Sequence, residues 1–332
     1  MTRRSSNGKV FEWNYKDNLD LKTVNKNLMI QINGDRFTDS TTFDSNKCSL
    51  VSSLNFKCIC GIGSNMHHCE AAQRWTEYAY RHHSRSFDFE KDSEIFNDML
   101  TLAESDSAVQ ESVQQIKNDI CRTVTDEEFF CVGGRGYTTM LEVLTAFALY
   151  DKPCGYVQGM NFITASLAYH CNSATAFWLF TSLIEDYELR ENYLNGLEGF
   201  YERAQSISEL AKVEIPEIHA FLVTFEMITL EPVMSLFCNM ISLEESKHHL
   251  EEFFKRGWKY FNCLFINFLE CNSAQIFMCE DQCDILSLFK DYYHCRGGRQ
   301  STWSQRIALQ NKSTADSYSI CDVDWEKLCR KS

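Results

Sequence analysis

MLEVLTAFALYDKPCGYVQGMNFITASLAYHCNSATAFWLFTSLIE (residues 140–185) decides the fold. Met140, Leu141, Leu144 and Phe147 recur at helical spacing and make one apolar stripe. From Pro153 to Ile184 there is no Asp, Glu, Lys or Arg, yet Gln158, Asn161, His170, Asn172 and several Ser and Thr punctuate the run. A lipid-exposed helix tolerates few such groups. The stretch therefore predicts helices buried in a protein core, broken at HCNS (residues 170–173), and no transmembrane segment.

The same rhythm continues on both sides. Val109, Val113, Ile116 and Ile120 share a helix face, as do Leu197, Phe200, Ala204, Ile207 and Leu210 or Ala211. Pro216 suits a first helical position ahead of Ile218, Phe221, Leu222 and Phe225. Ser242 followed by Glu245 has the form of a capping box, opening a helix that carries Leu250, Phe253 and Phe254. Gly257 ends that helix, and Tyr260, Leu264 and Phe268 begin another stripe. The expected architecture is all-α, a multi-helix domain over residues 58–295. Residues 1–57 form an N-terminal extension, partly disordered, in which residues 1–10 are polar and read as mobile. Asn33-Gly34 within LMIQINGDRF is the turn of a short hairpin. Residues 296–332 form a polar tail with a short helix around Trp325.

Composition agrees. The chain has 332 residues with only 3 Pro and 14 Gly, too few turn residues for a β-sandwich or barrel. Lys and Arg number 32 against 46 Asp and Glu, a net charge of −14, which argues against nucleic acid bound through bulk charge and against a polybasic membrane anchor. At 44% hydrophobic the chain can bury a large core. Its 16 Cys sit mostly among Phe, Ile and Leu, as in FNCLFINFLEC (residues 261–271), and no apolar leader follows the basic start. They read as reduced, buried, small hydrophobes in a cytoplasmic protein. The terminal CRKS has the length of a prenylation box, but Arg330 and Lys331 occupy its aliphatic positions.

Several chemical motifs fail on inspection. Gly133, Gly134 and Gly136 lack the spacing and the Lys of a phosphate loop and read as a turn. Cys58, Cys60, His67, His68 and Cys69 carry soft ligands but no second doublet at structural-zinc distance, and Cys279, Cys283, His294 and Cys295 are a fainter version. No GxSxG elbow is present, and nothing sets one Cys apart as a nucleophile.

Two segments remain. In IKNDICRT (residues 116–123) Ile116 faces the core, while Asp119 and Arg122, at i and i+3, are neighbours on the helix. The carboxylate can hold the guanidinium in one orientation; the plainer alternative is a surface ion pair worth about 0–1 kcal/mol. In GYVQGMN (residues 155–161) Tyr156 and Gln158 share a face in extended structure, and Gly155 and Gly159 permit a tight path. An exposed Gln can orient a water through its acceptor and two donors. Fixed positive charge and a positioned water are what phosphoryl transfer to water requires. With no phosphate loop in the chain, the nucleotide would arrive on another protein.

This arrangement, IxxDxxR followed by YxQ within GYVQGMN, resembles the TBC domain of Rab GTPase-activating proteins. The likeness includes Thr123 after the Arg and extends to ATAFWLFTSLIE (174–185), LNGLEGFYERAQSISEL and EPVMSLFCNMISLEE. It implies an all-α domain that stimulates GTP hydrolysis by a Rab-type small GTPase in membrane trafficking. Arg122 would be the arginine finger and Gln158 the glutamine finger. Asp119 would orient Arg122, with Ile116, Tyr156, Thr123 and Gly159 in support. It implies no cofactor of its own, GTP and Mg being carried by the GTPase, and at most peripheral association with endomembranes. The family usually opens with RxxxW after a Gly-Ile turn; here the turn is Gly61-Ile62, His67 and Ala71 fall at the Arg and Trp positions, and Arg74-Trp75 lie nearby. Leu250-Glu251 stand near the place of a late Trp-Asp pair. These departures motivate the alternative, a TBC-fold binding module that holds a GTPase or scaffold without stimulating it.

Overall fold

A computed structural model describes residues 2–4, 10–12, 70–125, 128–222, 225–281, 283–285 and 288. The chain divides into two compact units, Met1–Ser45 and Asn46–Ser332. In the first, strand β1 (Thr2–Arg4) pairs antiparallel with β2 (Val10–Glu12), Arg3 opposite Phe11. Asn33-Gly34, the cysteine–histidine cluster at 58–69, His294, Cys295 and the segment around Trp325 lie outside the described residues.

The described part of the second unit is helical. It begins with α1 (Glu70–His83), α2 (Phe89–Ser105) and α3 (Ser107–Thr123), then a 3-10 turn at Glu128–Phe130. Three helices of the decisive stretch follow, α4 (Arg135–Tyr150), α5 (Met160–His170) and α6 (Ser173–Glu185). The remainder comprises α7 (Arg190–Tyr193), α8 (Glu198–Glu214), α9 (Pro216–Phe221), α10 (Phe225–Met234), α11 (Leu243–Arg256), α12 (Trp258–Cys271) and α13 (Ser273–Met278). Local signals act where expected. Asn172 caps α6 by accepting from the Thr175 N–H at 2.8 Å, which makes HCNS the break between two buried helices. Ser242 and Glu245 form both halves of the capping box. Gly257, at φ +60°, ends α11, and Pro216 opens α9.

Helix α4 packs against α2, α3, α5 and α6, and α5 against α3, α4, α6 and α11. Apolar surface on nearly every side of α5 and α6 is therefore covered by protein. No helix among the described residues is long and apolar enough to cross a membrane. Of GGRG, Gly133 and Gly134 lie in the turn, as read, while Arg135 and Gly136 already belong to α4; a Cβ on Gly134 would lie 2.5 Å from the Phe129 carbonyl oxygen, so the backbone approach there requires glycine.

Trp75 is fully buried, stacked on Phe254 at 6.1 Å and edge-on to His170 at 5.4 Å. Its neighbour Arg74 donates to Glu251 at 2.9 Å, across α1 and α11. One expectation needs correction: not all the cysteines are core filler, since Cys171, Cys238 and Cys263 are buried but Cys121, Cys131 and Cys283 are exposed.

One buried acid gives the domain a pH signature. Asp92, in the first turn of α2, accepts the Asp88 N–H at 2.9 Å, and burial pushes its carboxyl from 3.8 up to about 7. The folded state then holds a proton that the unfolded chain releases between those values, so this group's contribution to stability falls as pH rises from about 4 to 7. Asp92→Asn keeps an acceptor and is expected to gain stability relative to wild type at pH 7 but not at pH 4, as urea melts at the two pH values would show. The comparison with wild type isolates this group from His170, which burial lowers to about 4 and which slopes the opposite way.

Candidate functional site

The site forms where the C-terminal end of α3 meets the loop between α4 and α5. Ile116 is fully buried and fixes the inner face of α3. One turn on, Asp119 is buried, and the Arg122 guanidinium, in the last turn, stands out with its side chain 60% exposed against 5% for Asp119. Asp119 Oδ1 accepts from Arg122 Nε at 3.0 Å and lies 2.7 Å from Nη2. That two-point grip fixes the plane of the guanidinium as well as its position. The cation also complements the carbonyl end of the helix.

The other carboxylate oxygen faces the loop. Tyr156 donates its hydroxyl to Asp119 Oδ2 at 2.7 Å. Burial, together with the Asp119 carboxylate, pushes the Tyr156 phenol well above its ordinary range, so the proton stays on the ring oxygen as a donor. Asp119 thus ties the arginine to the segment that carries the glutamine. A second tie runs beside it. Thr123 donates to the Asp119 carbonyl at 2.6 Å, Asn161 Nδ2 donates to Thr123 Oγ1 at 2.8 Å, and the Gly159 N–H donates to Asn161 Oδ1 at 2.9 Å.

Gln158 is exposed between these fixed points, and its amide has no hydrogen bond to a described side chain or backbone group. Gly159 turns the chain into α5 at φ +113°, and a Cβ there would lie 2.6 Å from the Met234 carbonyl oxygen. Only glycine fits that conformation at that distance. The loop starts at Asp151, where both carboxylate oxygens accept from Arg190, at 2.6 and 2.9 Å. Burial and the Asp151 charge push the Cys154 thiol up to about 12, so this cysteine of the loop is no nucleophile at neutral pH.

All seven residues singled out from sequence therefore belong to this region, and hydrogen bonds join five of them: Asp119, Arg122, Tyr156 and Thr123, with Gly159 linked through Asn161. Asn161 and the Asp151–Arg190 pair were missed. A lone Asn at the start of an apolar helix was the available signal for the first. The second spans 39 positions and had none. Among the described residues no group of three or more His, Cys, Asp or Glu is placed to hold a metal.

The chain is similar in sequence and in fold to known proteins. The Rab GTPase-activating protein eat-17 of Caenorhabditis elegans is 27% identical over 168 residues, which is 49% of this chain and 19% of that protein. A TBC domain-containing protein of Schizosaccharomyces pombe is 26% identical over 233 residues, 67% of this chain and 28% of that one. The chain thus spans less than a third of the length of each of these relatives. The crystal structure of the Chlamydomonas flagellar RabGAP TBC domain shares the fold with a TM-score of 0.56 at 18% identity, covering 73% of this chain and 78% of that one. The family model described as Rab-GTPase-TBC domain matches residues 72–277, which takes in Trp75, both segments of the site and α13 as far as Phe277, and the chain belongs to that family.

Proposed function

We propose that this protein stimulates GTP hydrolysis by a Rab-type small GTPase, with Arg122 and Gln158 as the two groups it inserts beside the nucleotide. The observation that carries the reading is the doubly gripped Asp119: one buried carboxylate orients an exposed guanidinium and anchors the loop bearing an exposed amide. Arg122 neutralises charge developing on the transferred phosphoryl group. Gln158 positions the attacking water. GTP and Mg arrive on the GTPase, and the protein works in the cytoplasm, meeting membrane-anchored Rab proteins at endomembrane surfaces.

The test is single-turnover GTP hydrolysis by a panel of Rab GTPases with the full chain. Acceleration of one or more panel members is expected. No acceleration of any would overturn the reading and leave a binding module. The role of Tyr156 is open to a milder probe in the same assay. Tyr156→Phe removes one hydrogen bond to a charged acceptor, worth about 1.5–3 kcal/mol. The stimulated rate is expected to fall by about tenfold or more, with little change in the concentration of chain that half-saturates the GTPase.

A further inference from the structure

The geometry points to Asn161 and Thr123 as a positioning clasp that sets the peptide between Gln158 and Gly159, so that the glutamine reaches a GTPase already in register with the arginine helix. The inference rests on the finger reading for its consequence in rate, but the clasp itself is a matter of hydrogen bonds within this chain.

Polarity fixes the Asn161 side chain. The Thr123 hydroxyl proton goes to the Asp119 carbonyl at 2.6 Å, which leaves Thr123 Oγ1 an acceptor, and only the NH2 side of an amide can donate to it, at 2.8 Å. The carbonyl side must then point the other way, where it meets the Gly159 N–H at 2.9 Å. A flipped amide would set donor against donor at Gly159 and acceptor against oxygen at Thr123. Both residues are 2% exposed, so water offers no easy substitute. The Gly159 N–H belongs to the peptide plane that follows Gln158, and holding it restricts the ψ angle of Gln158 itself. Met234 closes the other side of Gly159. The Gln158 backbone is thereby confined from two directions while its side chain stays in solvent.

Thr123→Val tests this, because valine keeps the shape and removes the acceptor. The full chain is assayed with whichever Rab GTPase responds to wild type. Expected is a fall of about ten- to a hundredfold in the saturating stimulated rate, the scale of an ångström-sized misplacement. Thr123→Ser restores most of it. On a Gln158→Ala background Thr123→Val has no further effect on rate, which a merely destabilised fold would not reproduce. Amide exchange at Gly159, followed by mass spectrometry, is faster in Thr123→Val and not in Thr123→Ser. A wild-type rate in Thr123→Val overturns the proposal, and so does an equal slowing with and without Gln158. If wild type stimulates no GTPase, the finger reading falls, and unchanged Gly159 exchange in Thr123→Val separately overturns the clasp.

Discussion

Arg122→Ala is expected to abolish nearly all stimulation of a responsive Rab GTPase, lowering the saturating single-turnover rate by about 10³–10⁵. At 1.36 kcal/mol per decade that is about 4–7 kcal/mol of barrier. The size follows from where the charge sits. The guanidinium is exposed, so truncation removes no core packing, and Asp119 keeps the Tyr156 hydroxyl at 2.7 Å. Loss of rate should therefore far exceed any shift in unfolding midpoint. Arg122→Lys is expected to recover little. A lysine carries the charge, but it cannot present a planar fork to Asp119 through Nε and Nη2 together, so the charge is no longer held in one place. A variant with alanine at 122 that stimulates at the wild-type rate would remove Arg122 from the mechanism.

The helices were legible because their determinants are local. Stripes such as Ile116 and Ile120, the Asn172 and Ser242 caps and the stop at Gly257 each act over one or two turns. Half of the site was legible for the same reason: Asp119 and Arg122 lie one turn apart on one helix. The other half is tertiary. The Tyr156–Asp119 and Asn161–Thr123 bonds each join residues more than thirty-five positions apart, 37 and 38, and no periodicity reports them. Tyr156 is legible through its two-residue spacing from Gln158 and through the family likeness, but its bond to Asp119 is not, and nothing local to Asn161 reports that its partner is Thr123. Trp75 is another tertiary case: its ring is buried against His170 of α5 and Phe254 of α11, contacts that spacing along α1 does not report.

Asp151→Ala is expected to cost about 3–5 kcal/mol of stability, the usual penalty for stripping one partner from a buried ion pair. Asp151 and Arg190 have side chains only 4% and 15% exposed. Burial opposes the Arg190 charge, and the Asp151 carboxylate more than offsets that, leaving its guanidinium above the ordinary range. Removing Asp151 therefore takes two short hydrogen bonds and the facing charge from a largely buried guanidinium. Local structure suffers as well, since Asp151 Oδ1 also accepts the Cys154 N–H at 3.3 Å at the head of the loop that ends in Gln158 and Gly159. Arg190→Met alone should cost a similar amount by stranding the carboxylate. The double variant, Asp151→Ala with Arg190→Met, should lose much less than the sum, because apolar replacement of a whole buried pair is often close to neutral. Urea midpoints for the four proteins measure that coupling. The catalytic assay on the same four then separates two contributions: if stability returns in the double variant while stimulation stays low, Asp151 acts on the glutamine loop in addition to holding α7 against it. Additive losses in stability would mean that the pair contributes nothing as a pair.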